Sequence, residues 1–150
     1  DDDSNSRAVL KDFLESIGFQ TVEAVDGEDA LRKFSLDAFE IVLSDIYMPN
    51  MHGLDLLKRI REQDKNVIVL IITGFPTIEG AIQAVRDGAY DYITKPFQFD
   101  DLQIKIDRAV QSRRMDNALK KISGIMWALI VSIPVWIILG ILLGIVWKWF

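Results

Sequence analysis

The sequence predicts an α/β fold in which a parallel sheet carries helices on both faces. Apolar runs of strand length alternate with segments whose apolar residues recur every three or four positions. The run in "FEIVLSD" is continuous, not alternating, as a strand buried on both faces is. Behind this body lies a different kind of chain, residues 122–147, with 26 consecutive uncharged positions.

Residues Asp3–Gly18 read as the first helix. Ser4 or Asn5 can cap it, Val9, Leu10, Phe13, Leu14 and Ile17 share a face, and Gly18 stops it. "FQTVEAV" then reads as a short strand. Asp26 and Gly27 open a second helix carrying Ala30, Leu31 and Phe34. "FEIVLSD" is the next strand, and Leu54, Leu57 and Ile60 give helical spacing up to Glu62. "NVIVLIITG" is the most apolar strand of the body. Pro76 stands near the start of another helix, for which Ile78, Ala81, Ile82 and Val85 are the expected inward residues. "YDYITKP" is a short final strand, and Asp100 begins a helix running to about Lys121.

Charge divides the chain in the same way. All 22 acidic residues lie at or before Asp116, and after Lys121 only Lys148 is charged. An acidic body without a basic stripe argues against nucleic acid as a partner. The absence of cysteine excludes disulfides and thiolate metal sites. His52 is the single histidine, which leaves no histidine-based metal site or triad; in its loop it reads as a surface residue.

In open parallel sheets the functional residues gather beyond the carboxyl ends of the strands. There the sequence places Asp45 after "IVLS", Thr73 after "VLII" and Lys95 after "YIT", with Asp1 and Asp2 ahead of the first helix. Taken alone, Asp1–Asp3 are an acid cluster favourable to a helix N-terminus. Beside Asp45 and Lys95 they suggest carboxylates sharing a cation. With oxygen ligands alone that cation is Mg²⁺, which uses few carboxylates and favours phosphate oxygens. Asp45 is then a candidate nucleophile for a phosphoryl group, with Lys95 and Thr73 suited to its remaining oxygens.

The pieces "DDDSNSR", "SDIYMPNMHG", "IITG" and "YITKPF", in this order and spacing, resemble the bacterial two-component response-regulator receiver domain. The resemblance covers about Asp1 to Gln111, and "TGFPTIEGAIQAVRDGAYDYITKPF" is similar to receivers of the nitrogen-regulation type. It implies a flavodoxin-like, doubly wound, five-stranded parallel sheet of order 2-1-3-4-5. It also implies Asp45 as phosphoacceptor, Asp2 as a direct Mg²⁺ ligand, Asp1 acting through water and Tyr47 offering its backbone carbonyl. Lys95 would pair with the phosphoryl group, and Thr73 would turn toward it. Tyr92 would follow Thr73 between exposed and buried rotamers. Such a domain catalyses its own phosphorylation and dephosphorylation and is not otherwise an enzyme.

A receiver has an apolar strand before its acid pair, central in the sheet, and nothing precedes Asp1 in this sequence. The sequence given is therefore expected to begin partway through a longer natural one, which leaves a gap in the sheet; the alternative is that a piece of the tail such as "WIILGILL" fills it. The tail itself exceeds the roughly 20 residues that cross a bilayer as a helix. Trp127, Trp147 and Trp149 suit its interfaces, Lys120 and Lys121 place the body on the cytoplasmic side, and Gly140 and Gly144 suit a packed dimer face. The predicted organisation is a receiver domain over 1–111, a helical linker over 112–121 and a transmembrane anchor over 122–150 in the inner membrane. The expected partners are a sensor histidine kinase or other phosphodonor, the membrane through 122–147, and a second copy in a homodimer. The alternative is a receiver-like docking module of a larger membrane protein or of a fusion, its output outside this chain.

Overall fold

The structure is a computed structural model and describes residues 1–36, 38–116, 118, 119, 130, 132 and 133. It divides into two units, Asp1–Gln111 and Ser112–Phe150. In the first unit the order is α1 (Ser4–Ser16), α2 (Gly27–Lys33), β1 (Ile41–Asp45), α3 (Gly53–Gln63), β2 (Ile68–Thr73), α4 (Ile78–Arg86) and β3 (Asp91–Thr94). A last helix, α5, occupies residues 99–111 of this unit.

Among the described residues the sheet has three parallel strands in the order β1-β2-β3. Ile41 stands opposite Ile68 and Leu70 opposite Asp91, which sets both registers. Every residue of β2 is buried. Its side chains divide between two cores with the period of two that a strand imposes. Val69 and Ile71 join Leu56, Leu57 and Ile60 of α3, with α2 packed alongside. Ile68, Leu70 and Ile72 face the other way, against Leu102, Ile106 and Ala109 of α5 and Leu10, Phe13 and Leu14 of α1. Each such buried Leu or Ile contributes ~1.5–3 kcal/mol, so the two-sided apolar run makes β2 the anchor of the unit.

Four local expectations are corrected. Asp3 caps α1, where Ser4 or Asn5 was expected: its carboxylate accepts from the Asn5 and Ser6 amides. A carboxylate also gains from the helix dipole there. Residues 19–25 form no strand. Among the described residues no strand of the sheet lies beside them. Among the described residues β1 is an edge of the sheet: Ile41, Val42 and Leu43 are half-buried and only Ser44 is buried, contrary to the two-sided burial its apolar run predicts.

The fourth correction concerns α4. Ile78, Ile82 and Val85 were expected inward but are 76%, 48% and 64% exposed, while Ala84 is fully buried. Gly80, Ala81 and Ala84 form the inward stripe, because small residues let the helix lie close to the sheet. Hydropathy ranks isoleucine above alanine and takes no account of that spacing.

In the second unit the described residues 112–116, 118, 119, 130, 132 and 133 are helical. Among the described residues no helix is long and apolar enough to cross a membrane. Most of the predicted span, 122–147, lies outside them.

Candidate functional site

Strand β1 ends in Asp45, and the chain then leaves the sheet through a loop that Asn50 turns with a φ of 61°. Asn50 also donates from Nδ2 to Oδ2 of Asp26 at 2.6 Å, which fastens this loop to the start of α2. Asp26 caps α2 by accepting from the Asp29 amide at 2.7 Å. These two hydrogen bonds, the Asp29 amide first and Asn50 second, hold the Asp26 carboxyl below its ordinary range. Asp29 is lowered too, chiefly by the hydrogen bond from Lys33. Gly53 then starts α3 beneath the loop, its amide donating to the Ile46 carbonyl at 2.9 Å.

Lys95 reaches the same edge from the end of β3. Its ammonium lies 2.8 Å from Asp45 Oδ2 and 2.7 Å from Asp1 Oδ2, joining residues 50 and 94 positions apart. The Asp1 and Asp45 side chains are only 8% and 12% exposed. Two carboxylates this sheltered would repel strongly without the cation between them. Asp45 Oδ1 accepts from the Tyr47 amide at 3.1 Å, so one oxygen is oriented by main chain and the other by the lysine.

The structure thus brings Asp1, Asp45 and Lys95 together. Asp2 is exposed. Thr73 is fully buried at the end of β2. Its hydroxyl accepts from the Phe75 amide at 3.2 Å, and its carbonyl accepts from the Lys95 amide at 2.8 Å. Tyr92 is half-buried against the α3 core, and its hydroxyl accepts from the amide of Thr77, the residue that caps α4. The Tyr47 ring is exposed, edge-on to both His52 and Phe75. His52 is exposed at the start of α3 and makes no side-chain cap hydrogen bond.

Two participants escaped sequence reasoning. Ser6 donates from Oγ to Asp1 Oδ2 at 2.9 Å and accepts from Lys95 at 3.3 Å. Arg7 donates to the Asp1 carbonyl at 2.7 Å. Their signal was available: on a helix starting at Ser4 both lie in the first turn, above the acids. Among the described residues no three acidic or histidine side chains form a group able to hold a metal ion. The fit to Mg²⁺ therefore rests on Asp1 and Asp45 alone, two carboxylates converging on one cation. Two carboxylates completed by water and phosphate are a common Mg²⁺ donor set.

Comparison with known proteins accords with this arrangement. Residues 1–107 match the family model of the response regulator receiver domain. The regulatory protein AtoC of Escherichia coli K12 is 36% identical over 120 residues, covering 80% of this chain and 26% of that protein. The DNA-binding transcriptional regulator NtrC of Klebsiella pneumoniae is 36% identical over 110 residues, covering 73% of this chain and 24% of that protein. The chain thus spans about a quarter of the length of these curated relatives. A crystal structure of a CheY-like receiver domain protein from Methanospirillum hungatei JF-1 superposes with a TM-score of 0.74 at 28% identity, covering 77% of this chain and 93% of the other. With the strand-end acids, the lysine and this flavodoxin-like α/β architecture in agreement, the chain belongs to the response regulator receiver domains of two-component systems.

Proposed function

We propose that this receiver is a phosphoryl-accepting switch and that Asp45 is its phosphoacceptor. The observation that carries this reading is the Lys95 ammonium seated between the carboxylates of Asp45 and Asp1. It is a fixed positive charge at the one carboxylate that the sheet presents at its edge. In the proposed reaction a carboxylate oxygen of Asp45 attacks the phosphorus of a phosphohistidine on a sensor histidine kinase, or of a small acyl phosphate. The new bond is an acyl phosphate O–P bond. The P–N or P–O bond of the donor breaks, and its electron pair leaves with the donor.

Asp1 and Asp45 would hold Mg²⁺, with the Tyr47 carbonyl and the adjacent Asp2 available to complete its shell. The ion would neutralise charge on the phosphoryl oxygens. Lys95 would exchange its Asp45 contact for a phosphoryl oxygen. Thr73, whose hydroxyl already lies at the strand end, would turn to hydrogen-bond a second one. Tyr92 would follow, and through its contact with the Thr77 amide the α4 cap would report the change. The same site would return phosphate to water, so the chain would turn over nothing but its own acyl phosphate.

Output would pass through protein contacts, since a net charge of −5 gives no attraction for nucleic acid. The uncharged residues 122–147 support anchoring in the inner membrane with the receiver toward the cytoplasm, and pairing of two copies there. A second reading draws on the longer relatives: the receiver would be a docking module whose output lies in other segments.

Incubation with acetyl phosphate and Mg²⁺ tests the first reading. Wild type should gain one phosphoryl group by intact mass, and Asp45→Asn none. Equal gain by both would end it. Retention of the chain in membranes through alkaline carbonate washing tests the anchor.

A further inference from the structure

We propose that Ser6 is a positioning residue whose hydroxyl keeps the Lys95 ammonium at the sheet edge while Asp45 takes up a phosphoryl group. The chemistry rests on the phosphoacceptor reading, but the hold on Lys95 is measurable without phosphate or metal.

Lysine carries its charge on a flexible four-carbon stem, so its ammonium sits where acceptors for its three hydrogens are found. Lys95 meets three: Asp1 Oδ2 at 2.7 Å, Asp45 Oδ2 at 2.8 Å and Ser6 Oγ at 3.3 Å. Two of these are the carboxylates proposed to hold Mg²⁺. Beside a dication at those oxygens the ammonium is repelled, and its carboxylate contacts are contested. The Ser6 hydroxyl is the acceptor of the three that carries no charge for an ion to compete for. Lys95 is also partly exposed, so an ammonium that loses its anchors has solvent to move into.

Ser6 is itself fixed. It lies in the first turn of α1, where its amide donates to Asp3 Oδ2 at 3.0 Å in the cap of that helix. Its hydroxyl hydrogen is committed to Asp1 Oδ2 at 2.9 Å, which leaves the oxygen's lone pairs free to receive Lys95. Asp1 is held in turn, its Oδ1 accepting from the Asp3 amide at 3.0 Å. A serine in a first turn commonly bonds the backbone beside it. The hydroxyl of this one joins two side chains of the site, one of them 89 positions away. The start of α1 thus offers a rigid seat for a mobile cation. When Lys95 exchanges Asp45 for a phosphoryl oxygen, its contact with Ser6 would keep the ammonium within reach of that oxygen.

The test compares the full wild-type chain with Ser6→Ala, which removes the hydroxyl, and Ser6→Thr, which retains one. In the first arm, without phosphate or added metal, NMR of the side-chain nitrogen follows exchange of the Lys95 ammonium hydrogens with water. Ser6→Ala should speed this exchange about tenfold, as loss of one hydrogen bond to a charged group implies, and Ser6→Thr should stay within about twofold of wild type. In the second arm, acetyl phosphate is added at saturating Mg²⁺ and the rate of phosphoryl gain is read by intact mass. Ser6→Ala should lower the limiting rate about tenfold, with the half-saturating acetyl phosphate concentration within about twofold of wild type. Ser6→Thr should recover that rate. In a Lys95→Ala background, Ser6→Ala should cause no further loss, because the hydroxyl acts through the lysine.

Unchanged ammonium exchange in Ser6→Ala would overturn the proposal. So would a threonine variant that behaves as alanine, or an equal loss of rate with and without Lys95, which would assign Ser6 to Asp1 or to the helix instead. If wild type gains no phosphoryl group while the first arm behaves as expected, the phosphoacceptor reading ends and the hold of Ser6 on Lys95 stands.

Discussion

Gly53 packs against the main chain of Asp45 with no room for a side chain: a Cβ there would lie 2.0 Å from the Asp45 carbonyl oxygen. The neighbour is backbone at the end of a strand, so it cannot swing aside as a side chain would. We expect Gly53→Ala to cost about 3 kcal/mol or more, through displacement of either α3 or the Asp45 loop. Urea denaturation gives the measurement. A wild-type midpoint would show that the loop yields freely.

Lys95 is the cation that lets Asp1 and Asp45 face each other. Lys95→Ala should lower stability in the absence of metal by about 2 kcal/mol, between the values for exposed and buried pairs. Added MgCl₂ should then raise Tm more in the variant than in wild type, because the ion would compensate the two carboxylates in place of the ammonium. Equal Mg²⁺-induced shifts in both proteins would count against ion binding between these acids.

Thr77 caps α4 by accepting from the Gly80 amide at 3.0 Å, and its own amide meets the Tyr92 hydroxyl. Thr77→Ala removes the cap and should cost about 1 kcal/mol. The loss should be local, appearing as faster hydrogen exchange in the first turn of α4, with β2 unchanged. Exchange that rises uniformly through the unit would show that the cap stabilises the whole fold instead.

Asp26 gives the acid limb of stability a definite sign. Its folded carboxyl is held below the ordinary range by the Asp29 amide and by Asn50. The unfolded chain therefore takes up this proton at higher pH than the folded chain does. The stabilisation is whole above the ordinary aspartate value of about 4 and is lost as pH falls through the lower folded value. Asp26→Asn keeps a good capping group but removes the charge. Wild type should exceed the variant at pH 7, and the gap should close as pH falls below about 4, as followed by urea midpoints. A gap independent of pH would remove the carboxylate from the account.

The legible parts of the site were those that local sequence dictates. A continuous apolar run delivers Asp45, Thr73 and Lys95 to strand ends whatever surrounds them, and all three stand there. Ser6 and Arg7 were harder to see, because their role depends on the first turn of α1 facing a lysine 89 positions from Ser6. The inward face of α4 was misjudged for a related reason. Hydropathy counts the transfer of a side chain out of water, but the sheet beneath demands close approach, which Ala84 and Gly80 permit and Ile82 does not.

By itself the sequence determined the alternation of strands and helices, the strongly apolar character of β2, the acids and lysine at the strand ends, and the division between a charged body and an uncharged tail. These follow from periodicity and charge, which act over a few residues. Tertiary structure decided that Lys95 bridges Asp1 and Asp45, that Asp2 stays exposed, and that α4 turns its isoleucines outward. Each of these depends on which backbone lies beside which, a long-range relationship that local periodicity and charge do not encode.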